Sequence, residues 1–530
     1  MGPSATRPHE EHWTELSAFG NATTILLRGV VEALGNQTAV HEAGTSLTWH
    51  QVSEESESTA RRLTEYGIRS GDVVCAQLPN WWETVIVALA VWRLGAVLNP
   101  VTPIYRGGEL RTIFMMARPS LVLCPGNFGD VDYEAMTRQA LVDAGSDAAV
   151  ATIRPAPGTG GLFAGGPFAQ SELPALSALS ADDVSVLMFT SGTTGRPKGV
   201  LHSHRTLLYE SWSIADRFDL DRPNVFMPSP LTHITGLLYG ILLPILTKGQ
   251  VVLQDRWNES VAVDLIEREG CTFCVGATPF LAGLVNEYGR RQQKSSLRSF
   301  VCGGADVPPS VIRDAQEVMA TVAVRAYGLT ELPTLTCGGP SDSMGQRSGD
   351  DGALTGSSQA RLVDVVDGVG DLEARGPEMF LGYLDGSDNE QAFTTDGWFR
   401  TGDLAVIEGD RVRIVGRRKD IIVRGGENLS PLEIETLLRG LPGVSDVAVV
   451  GVPDPILGER ACAMIVPNGQ PPTLTEIQAF LQAQDIARQK APEHLLICDG
   501  LPRTASGKIQ KFVLRDIASK RLAAGDGESR

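Results

Sequence analysis

Short apolar runs alternate along the chain with longer segments of helical character. Four of these runs have the length and composition of buried strands: Val73–Leu78, Val184–Phe189, Val251–Leu253 and Phe300–Cys302. The segments Trp82–Leu94 and Pro309–Thr321 have the composition of helices. Such an alternation is typical of an α/β fold with largely parallel sheets. We therefore predict that most of the chain forms a large α/β lobe.

Two stretches rich in glycine, proline, serine and alanine interrupt the alternation, and the pattern itself changes near Gly416. The stretches Pro155–Gly166 and Gly338–Ser358 are predicted as loops. Near Gly416 an alternating strand, Arg411–Val415, is followed by the charged run Arg417–Asp420. We place a domain boundary there, with an N-terminal lobe of residues 1–416 and a smaller C-terminal lobe of residues 417–530.

The C-terminal lobe has the pattern of a small α+β domain. Ser430 as N-cap, Pro431 as first helical residue and Glu433 three residues after the cap form the signature of a capping box. Further elements are predicted, in order, as a strand, a strand, a helix and an apolar run at Val444–Val452, Ala461–Val466, Thr475–Arg488 and His494–Cys498.

Composition and charge exclude several classes of protein. Of the 530 residues, 42% are hydrophobic and 21% are charged, which excludes a mainly disordered chain. The net charge of -17 argues against a broad nucleic-acid surface, so we expect no nucleic-acid partner. The longest apolar stretch, Leu237–Leu246, is shorter than the roughly 20 residues of a membrane span, so we expect no such span.

The cysteines indicate a reducing compartment. Eight are spread from Cys75 to Cys498 without the spacing of a disulfide framework. Cys271 and Cys274 have the spacing of a metal or redox pair, but their apolar surroundings predict a buried strand instead. The N-terminus lacks the apolar region of a signal peptide. We therefore expect a cytoplasmic protein.

A predicted strand runs directly into a loop of glycine and hydroxyl residues in VSVLMFTSGTTGRPKGV, Val184–Val200. Glycines allow close backbone approach, hydroxyl residues supply hydrogen-bond donors, and Lys198 supplies positive charge. Such a loop is suited to phosphate oxygens. It is not a Walker A loop, because the GxxxxGK[ST] spacing is absent.

The segment FTSGTTGRPKG resembles the phosphate-loop signature of the adenylate-forming superfamily. This superfamily includes acyl-CoA and aryl-CoA synthetases, amino-acid adenylation domains of peptide synthetases, and beetle luciferases. The resemblance covers roughly residues 20 to 520 and continues in order through PLTHITG, VCGGA, YGLTE, GWFRTGDL, GRRKDIIVRGGENLSPLEIE and PRTASGKIQK. It implies a large N-terminal lobe with the active site and a mobile C-terminal lobe.

The resemblance also implies which residues bind ATP. Asp403 would accept hydrogen bonds from both ribose hydroxyls, Arg417 would support the same end of the nucleotide, and the GGA segment would lie against the adenine. The full implied set is Thr190, Ser191, Gly192, Thr193, Thr194, Gly195, Lys198, Gly303, Gly304, Ala305, Tyr327, Gly328, Asp403 and Arg417.

The family reaction joins a carboxylate to the α-phosphate of ATP and releases pyrophosphate. Because this step forces two anions together, it requires cationic neutralisation. The resemblance implies Lys508 and Mg²⁺ for that role, with Glu331 as the magnesium-linked residue. It implies that Thr330 contacts the α-phosphate. His233 stands at the position of a residue near the substrate carboxylate, where it would gate and position the substrate.

A second step of the family reaction transfers the acyl group to a thiol. Lys419 matches the hinge position about which the C-terminal lobe moves. Gly425, Gly426 and Glu427 match a loop that borders the tunnel for the pantetheine arm of CoA.

The residues after His233 predict an uncharged substrate. Residues 226–247 contain no Asp or Glu that could meet an α-ammonium group, and an unpaired buried ammonium is costly. Apolar side chains at Leu237, Leu238 and Leu332 are predicted to line the acyl pocket. Pro333 departs from the small or hydroxyl residue that is commonest in the family at that position.

We predict an ATP-dependent, AMP-forming acid:CoA ligase for an aliphatic, alicyclic or aryl acid, with Mg²⁺ as cofactor and ATP and CoA as co-substrates. The first alternative is an adenylating enzyme that delivers the acyl group to a carrier protein or an amine. We expect no fused carrier domain, because the chain ends soon after Lys508. Luciferin-like oxygenation and a non-catalytic nucleotide-binding regulator are further alternatives. The oligomeric state is left open, and a homodimer is one of the states allowed.

Overall fold

The computed structural model divides the chain into two compact units. One comprises Met1–Gln359 and Arg375–Gly397, and the other comprises Ala360–Ala374 and Trp398–Arg530. The predicted boundary at residues 416/417 separates two lobes that are expected to move relative to each other. The division into compact units does not test such movement, so this boundary stays a prediction. The structure describes residues 22–126, 128–155, 161–163, 172–173, 175, 180–190, 197–304, 307–424, 427–484, 488–503, 508–525 and 528–529.

The strands of the described residues are numbered in chain order. They are β1 (Thr38–Glu42), β2 (Thr45–Thr48), β3 (Val73–Ala76), β4 (Val97–Pro100), β5 (Leu121–Pro125), β6 (Ala149–Ile153), β7 (Val184–Thr190), β8 (Lys198–Ser203), β9 (Asn224–Met227), β10 (Gln250–Leu253), β11 (Phe273–Gly276), β12 (Ser299–Cys302), β13 (Val322–Tyr327), β14 (Thr336–Cys337), β15 (Ala353–Leu354), β16 (Gln359–Val366), β17 (Val369–Arg375), β18 (Gly382–Tyr383), β19 (Phe399–Glu408), β20 (Arg411–Arg417), β21 (Ile422–Arg424), β22 (Glu427–Leu429), β23 (Val444–Asp454), β24 (Gly458–Pro467), β25 (His494–Ile497) and β26 (Glu528–Ser529).

The helices are identified by their bounds. The α-helices are Ala22–Leu34, Trp49–Glu65, Trp82–Arg93, Gly107–Ala117, Tyr133–Ala144, His204–Arg217, Ile234–Leu237, Leu243–Thr247, Glu259–Glu269, Thr278–Arg291, Pro309–Asp314, Met344–Gly349, Ser387–Ala392, Pro431–Leu438, Leu474–Ala483 and Lys511–Ala523. Two π-helical turns, Leu238–Leu242 and Ala315–Met319, and two 3₁₀ turns, Arg418–Asp420 and Arg488–Lys490, complete them. Within the described ranges, no helix is long and apolar enough to cross a membrane.

Two sheets with mostly parallel strands build the first unit. One has the order β18-β8-β7-β4-β3-β5-β6, and the other runs β15-β14-β13-β12-β11-β9-β10-β1-β2. Strands β3 to β6 pair in parallel, as do β9 to β13 with β1. Their residues are almost wholly buried, which explains why they are continuous apolar runs in the sequence. The α/β prediction is confirmed.

One predicted loop contains regular structure. The stretch Gly338–Ser358 includes the short helix Met344–Gly349 and strand β15, so the prediction of a continuous loop is wrong. Ser343 caps the helix, and its side chain accepts a hydrogen bond from the Gln346 amide. Glycine-rich composition concealed this cap. Most of the other predicted loop, Pro155–Gly166, lies outside the described residues.

The eight cysteines form no disulfides, and most of them are buried. Cys271 and Cys274 lie in the core beside and within β11, as predicted for a buried strand, and burial raises the pKa of both thiols. Seven of the eight cysteines are buried, and Cys498 is partly exposed. Among the described residues no cluster of three or more His, Cys, Asp or Glu side chains is placed to hold a metal ion.

The second unit contains the predicted small α+β domain. Strands β16, β17, β19 and β20 form one sheet, and β21 to β26 form another, in which β23 and β24 pair antiparallel over most of their length. Ser430 caps the helix Pro431–Leu438 as predicted, but the second contact of the predicted capping box does not form, because the Glu433 carboxylate binds Lys490 Nζ at 2.7 Å instead of the Ser430 amide. The helix predicted at Thr475–Arg488 is shorter and spans Leu474–Ala483.

An ion network joins the two sheets of the first unit. The Arg154 guanidinium, just after β6, binds the carboxylates of Glu42, at the end of β1, and Glu83, each at 2.7 Å. It also lies 4.2 Å from the centroid of the Trp81 ring. Both carboxylates are buried, so the guanidinium supplies the partner that buried charges require.

We predict that Arg154→Met lowers the free energy of unfolding by about 2 kcal/mol or more, because it leaves two buried carboxylates without a cation. Chemical denaturation of the purified protein measures this change. Arg205→Met is the matched control, since Arg205 forms an exposed pair with Asp182 and its loss should cost less than about 1 kcal/mol. Equal losses in the two variants would contradict the assignment.

Candidate active site

The structure describes the two strands, β7 and β8, that flank the predicted phosphate loop. Thr190 ends β7 and pairs across the hairpin with Lys198, the first residue of β8. The Lys198 ammonium lies 3.1 Å from the Asp388 carboxylate and 4.5 Å from the centroid of the Tyr383 ring. The loop residues themselves, Ser191, Gly192, Thr193, Thr194 and Gly195, lie outside the described residues.

Two further predicted segments meet at one edge of the larger sheet. Gly303 and Gly304 follow β12, and Tyr327 ends the neighbouring parallel strand β13. A Cβ atom at Gly303 would stand 2.6 Å from the Ala326 carbonyl oxygen, and one at Gly328 would stand 2.2 Å from the Thr334 nitrogen. Glycine is therefore required at both positions. Ala305 lies outside the described residues.

Glu331 is held by two groups from the segment around β18. The Tyr383 hydroxyl donates to Glu331 Oε1 at 2.7 Å, and the Phe380 amide donates to the Glu331 carbonyl oxygen at 2.9 Å. We call this pair of contacts the Glu331 clamp. Strand β18 pairs antiparallel with β8, so the clamp is anchored to the strand that begins with Lys198.

His202, on β8, holds the neighbouring residue Thr330. Its Nε2 lies 2.7 Å from the Thr330 carbonyl oxygen, and its Nδ1 lies 2.9 Å from the Thr206 hydroxyl. A carbonyl oxygen only accepts, so Nε2 carries the proton and Nδ1 accepts. Burial lowers the pKa of His202 to about 4, which keeps this neutral tautomer at physiological pH. The sequence analysis missed His202, because no chemical motif marks it.

A buried Glu331 carboxylate without a cationic partner suits a magnesium ion. Within the described part of the chain, no Lys or Arg side chain forms an ion pair with Glu331, which is 8% exposed. Magnesium is commonly bound by one or two carboxylates together with substrate phosphates. The predicted metal role of Glu331 therefore fits the residues that surround it, and it stays a prediction.

His233 begins the helix Ile234–Leu237. Its Nδ1 accepts from the Thr235 amide at 3.4 Å, which places the ring proton on Nε2. Burial lowers the pKa of His233 to about 4, so the imidazole is neutral at physiological pH. Gly236 permits the tight entry to this helix, since a Cβ there would stand 2.0 Å from the Pro230 carbonyl oxygen.

The side chains predicted to line the acyl pocket are core residues in this structure. Leu237, Leu238 and Leu332 are each at most 1% exposed. Their predicted contact with an acyl chain stays a prediction.

A carboxyl group does reach this apolar stretch from another helix. Glu210 lies in the helix His204–Arg217, and its Oε1 accepts a hydrogen bond of 2.5 Å from the Tyr239 hydroxyl. Residues 226–247 contain no acid, but the fold supplies one from outside that window. The sequence analysis missed Glu210 because linear motifs do not show which helices pack together.

The predicted ribose-binding pair lies in the second unit. Asp403 on β19 and Arg417 on β20 are cross-strand partners, and Arg417 Nε lies 3.0 Å from Asp403 Oδ1. Asp403 is 2% exposed, and its amide donates to Thr401 Oγ1 at 3.1 Å. The sheet thus brings together two residues that the sequence analysis assigned to the same end of the nucleotide.

The remaining predicted residues are also in the second unit. Lys419 is the middle residue of the turn Arg418–Asp420, and its carbonyl oxygen accepts from Arg515 at 2.7 Å. Lys508 is half-buried. Glu427 begins β22, where its backbone pairs with Arg424, while Gly425 and Gly426 lie outside the described residues.

Comparison with known proteins covers most of the chain. A family model described as AMP-binding enzyme matches residues 27–384, and one described as AMP-binding enzyme C-terminal domain matches residues 433–508. The chain is 34% identical over 499 residues to the medium-chain fatty-acid–CoA ligase of Escherichia coli (strain K12), which covers 91% of this chain and 88% of that protein.

A second relative and a solved structure agree with this result. The chain is 34% identical over 516 residues to a salicylyl-CoA synthase / salicylate adenylyltransferase of a Streptomyces species, with 92% of each chain covered. The crystal structure of ATP-bound MatB from Rhodopseudomonas palustris superposes with a TM-score of 0.83 at 28% identity. That match covers 94% of this chain and 99% of the other.

We predict that Tyr383→Phe slows carboxylate-dependent pyrophosphate release by about tenfold, because Glu331 loses a hydrogen bond of the strength usual for charged groups. We further expect a rise in the magnesium concentration that gives half-maximal rate. Steady-state assays over a magnesium series measure both effects.

Tyr288→Phe is the matched control for this prediction. Tyr288 donates to the Glu267 carboxylate at 2.6 Å, within a separate core cluster. The same chemical change there should leave the magnesium dependence unaltered. A Tyr383→Phe protein with the wild-type magnesium dependence would show that the clamp does not position Glu331.

Proposed function

The chain belongs to the family of AMP-binding enzymes and is an AMP-forming acid:CoA ligase, and from that premise we propose that it activates an uncharged, mostly apolar carboxylic acid. The predicted resemblance to the adenylate-forming superfamily is confirmed by the family match and by the relatives. Acid, ATP and CoA are the reactants of such a ligase. The identity of the acid and the roles of single residues belong to the proposal.

The observation that carries the proposed activation step is the arrangement of Thr330 and Glu331. His202 holds the Thr330 carbonyl oxygen at 2.7 Å, and the Glu331 clamp holds the next residue. Preorganised groups of this kind stabilise charge that develops in a transition state without further rearrangement. Thr330 would then present its hydroxyl to the α-phosphate, and Glu331 would hold the magnesium ion.

When bound, the magnesium ion neutralises phosphate charge during adenylation. Lys198 at the start of β8 and Lys508 in the smaller lobe supply further positive charge in the proposal. Thr190 and residues 191–195 wrap the phosphates, while Gly303, Gly304, Tyr327 and Gly328 face the adenine side. Asp403 and Arg417 hold the ribose.

His233 acts as a neutral group in this proposal. With its proton on Nε2, it can donate one hydrogen bond to the substrate carboxylate without adding charge. It positions the carboxylate during activation and changes rotamer when CoA enters. Lys419 serves as the hinge for the second step, and Gly425, Gly426 and Glu427 border the path of CoA.

The apolar character of the acid follows from the residues around His233. Leu237 and Leu238 offer no charge, and the Glu210 carboxyl that reaches this stretch is bound to the Tyr239 hydroxyl. In this proposal the α-ammonium group of an amino acid beside His233 would therefore be buried at a cost in free energy. The relatives named above act on medium-chain fatty acids and on salicylate, according to their names. We propose an aliphatic, alicyclic or aryl acid of this general kind, and a cytoplasmic location in keeping with cysteines that form no disulfides.

A panel of carboxylic acids tests this function. We expect pyrophosphate release that depends on CoA for continued turnover, and a kcat/KM for apolar acids at least about 10²-fold above that of their α-amino analogues. Equal kcat/KM values for an acid and its α-amino analogue would contradict the substrate proposal. Adenylate that accumulates regardless of CoA would instead favour transfer to a carrier protein or an amine.

We predict opposite effects of two substitutions in the smaller lobe. Lys508→Ala should reduce carboxylate activation by about 10² to 10³, the scale of one lost electrostatic contact, and spare thioester formation from supplied acyl-AMP and CoA. Lys419→Pro should spare activation and slow transfer to CoA, because proline fixes φ and restricts the preceding residue. Separate assays of the two half reactions measure both effects.

Lys520→Ala is the control for the loss of a lysine. Lys520 is exposed and pairs with Asp516, one helical turn away, at 2.6 Å. Exposed pairs of this kind contribute little, so neither half reaction should change. Equal impairment of both half reactions by Lys508→Ala, in a folded protein, would rule out separate roles for the two steps.

A further inference from the structure

The Lys198 ammonium is held by two groups from the segment around β18. Asp388 Oδ1 lies 3.1 Å from Lys198 Nζ, and the centroid of the Tyr383 ring lies 4.5 Å from the same nitrogen. Lys198 forms no other ion pair with a described residue, and 26% of its side chain is exposed. The ammonium therefore has one carboxylate and one aromatic face as partners, and it still has N–H donors for a further anion.

The segment that carries Asp388 is fixed against β8. The Leu384 amide donates to the Gly199 carbonyl oxygen at 2.7 Å. Asn389 Oδ1 accepts from the Tyr383 amide at 2.8 Å, and Asn389 Nδ2 donates to the Tyr383 carbonyl oxygen at 3.3 Å. These hydrogen bonds set where Asp388 lies relative to the first residue of β8.

A lysine side chain alone does not keep its ammonium in one place. Its four-carbon stem is flexible and loses conformational entropy when a ligand orders it. The ion pair with Asp388 selects one position of the Lys198 ammonium, so part of that entropy is already lost before ATP binds.

Tyr383 joins this lysine to the Glu331 clamp. The Lys198 ammonium lies over the Tyr383 ring, and the Tyr383 hydroxyl donates to Glu331 Oε1 at 2.7 Å. The lysine proposed for the phosphates and the carboxylate proposed for magnesium therefore contact one side chain. Phosphoryl chemistry depends on the placement of such charges relative to each other, so both must be held in position.

The pair of Lys198 and Asp388 is too exposed to matter much for stability. About a quarter of each side chain is exposed, 26% and 24%, and ion pairs of this kind contribute little to the free energy of unfolding. A reacting group displaced by about 1 Å, in contrast, can slow a reaction by about 10²-fold. The loss of Asp388 should therefore affect the rate of activation and not the stability.

We propose that Asp388 is a positioning residue for adenylation: it holds the Lys198 ammonium over the Tyr383 ring, where the ammonium can bind a phosphate oxygen of ATP. The inference rests on the proposed function, because it concerns the same nucleotide site. Asp388 contacts no substrate in this proposal and acts through Lys198.

Replacement of Asp388 by asparagine tests the inference. Asp388→Asn keeps the shape of the side chain and removes its charge. With octanoic acid and salicylic acid as probes, we expect the single-turnover rate of pyrophosphate release at saturating ATP to fall by about tenfold. The ATP concentration that gives half of this rate should change by less than about threefold, and the melting temperature should stay at the wild-type value.

Glu390→Gln is the matched control. Glu390 lies in the same helix, Ser387–Ala392, and is exposed. This substitution removes the same charge two residues away, so the rate and the half-saturating ATP concentration should both stay at their wild-type values.

A double-mutant cycle shows whether Asp388 acts through Lys198. Lys198→Met should itself slow activation by about 10²-fold, the scale of one lost electrostatic contact. In that background Asp388→Asn should cause no further loss, whereas the effects of independent residues multiply. The same single-turnover assay measures the wild type, both single variants and the double variant.

The outcomes separate the two proposals. An Asp388→Asn protein with the wild-type rate would overturn the inference, and a lower half-saturating ATP concentration in that protein would show that Asp388 competes with phosphate. An equal loss from Asp388→Asn with and without Lys198 would also overturn the inference, because Asp388 would then act independently. Either result beside normal CoA-dependent turnover by the wild type leaves the proposed function intact. Absence of wild-type turnover with every carboxylic acid of the panel would overturn the proposed function and the inference with it.

Discussion

The pairing of β18 with β8 is the contact on which the geometry of the candidate site depends. Two residues of strand, Gly382 and Tyr383, pair with Leu201 and Val200. The Tyr383 side chain then reaches Glu331, while the same β8 carries Lys198 at one end and His202 near the other. A buried carboxylate persists only with hydrogen-bond donors. One short strand therefore provides the donor that Glu331 needs and aligns it with the phosphate-loop flank.

Other buried polar contacts in the first unit also fix the positions of segments that are distant in sequence. His202 and Thr330 are 128 residues apart in the chain, and Arg154 and Glu42 are 112 apart. Apolar packing is tolerant of sliding, but a hydrogen bond or ion pair in the interior specifies one register. These contacts hold segments that are distant in sequence in fixed positions, as the proposed phosphate site would require.

Local patterns predicted much of the fold and many site positions. Strands β3, β7, β10 and β12 could be predicted because both of their faces are buried, which makes them continuous apolar runs. The Ser430 cap could be predicted because its residues are close together in the sequence. The helix Met344–Gly349 was missed because glycine and serine outweigh the cap signal. His202 and Glu210 were missed for another reason: their roles come from partners distant in sequence, and no single window contains both members.

The alternation of the chain between its two units bears on biosynthesis. Residues 360–374 belong to the second unit, yet they leave the ribosome before residues 375–397, which belong to the first. Domains generally fold as units during synthesis, N-terminal first. Strand β18 is synthesised about 180 residues after β8, its pairing partner. The first unit therefore stays incomplete until part of the second has emerged from the ribosome. A chain truncated before residue 382 would thus lack the Tyr383 donor, and nascent fragments of this protein would expose an unpaired edge at β8 to chaperones.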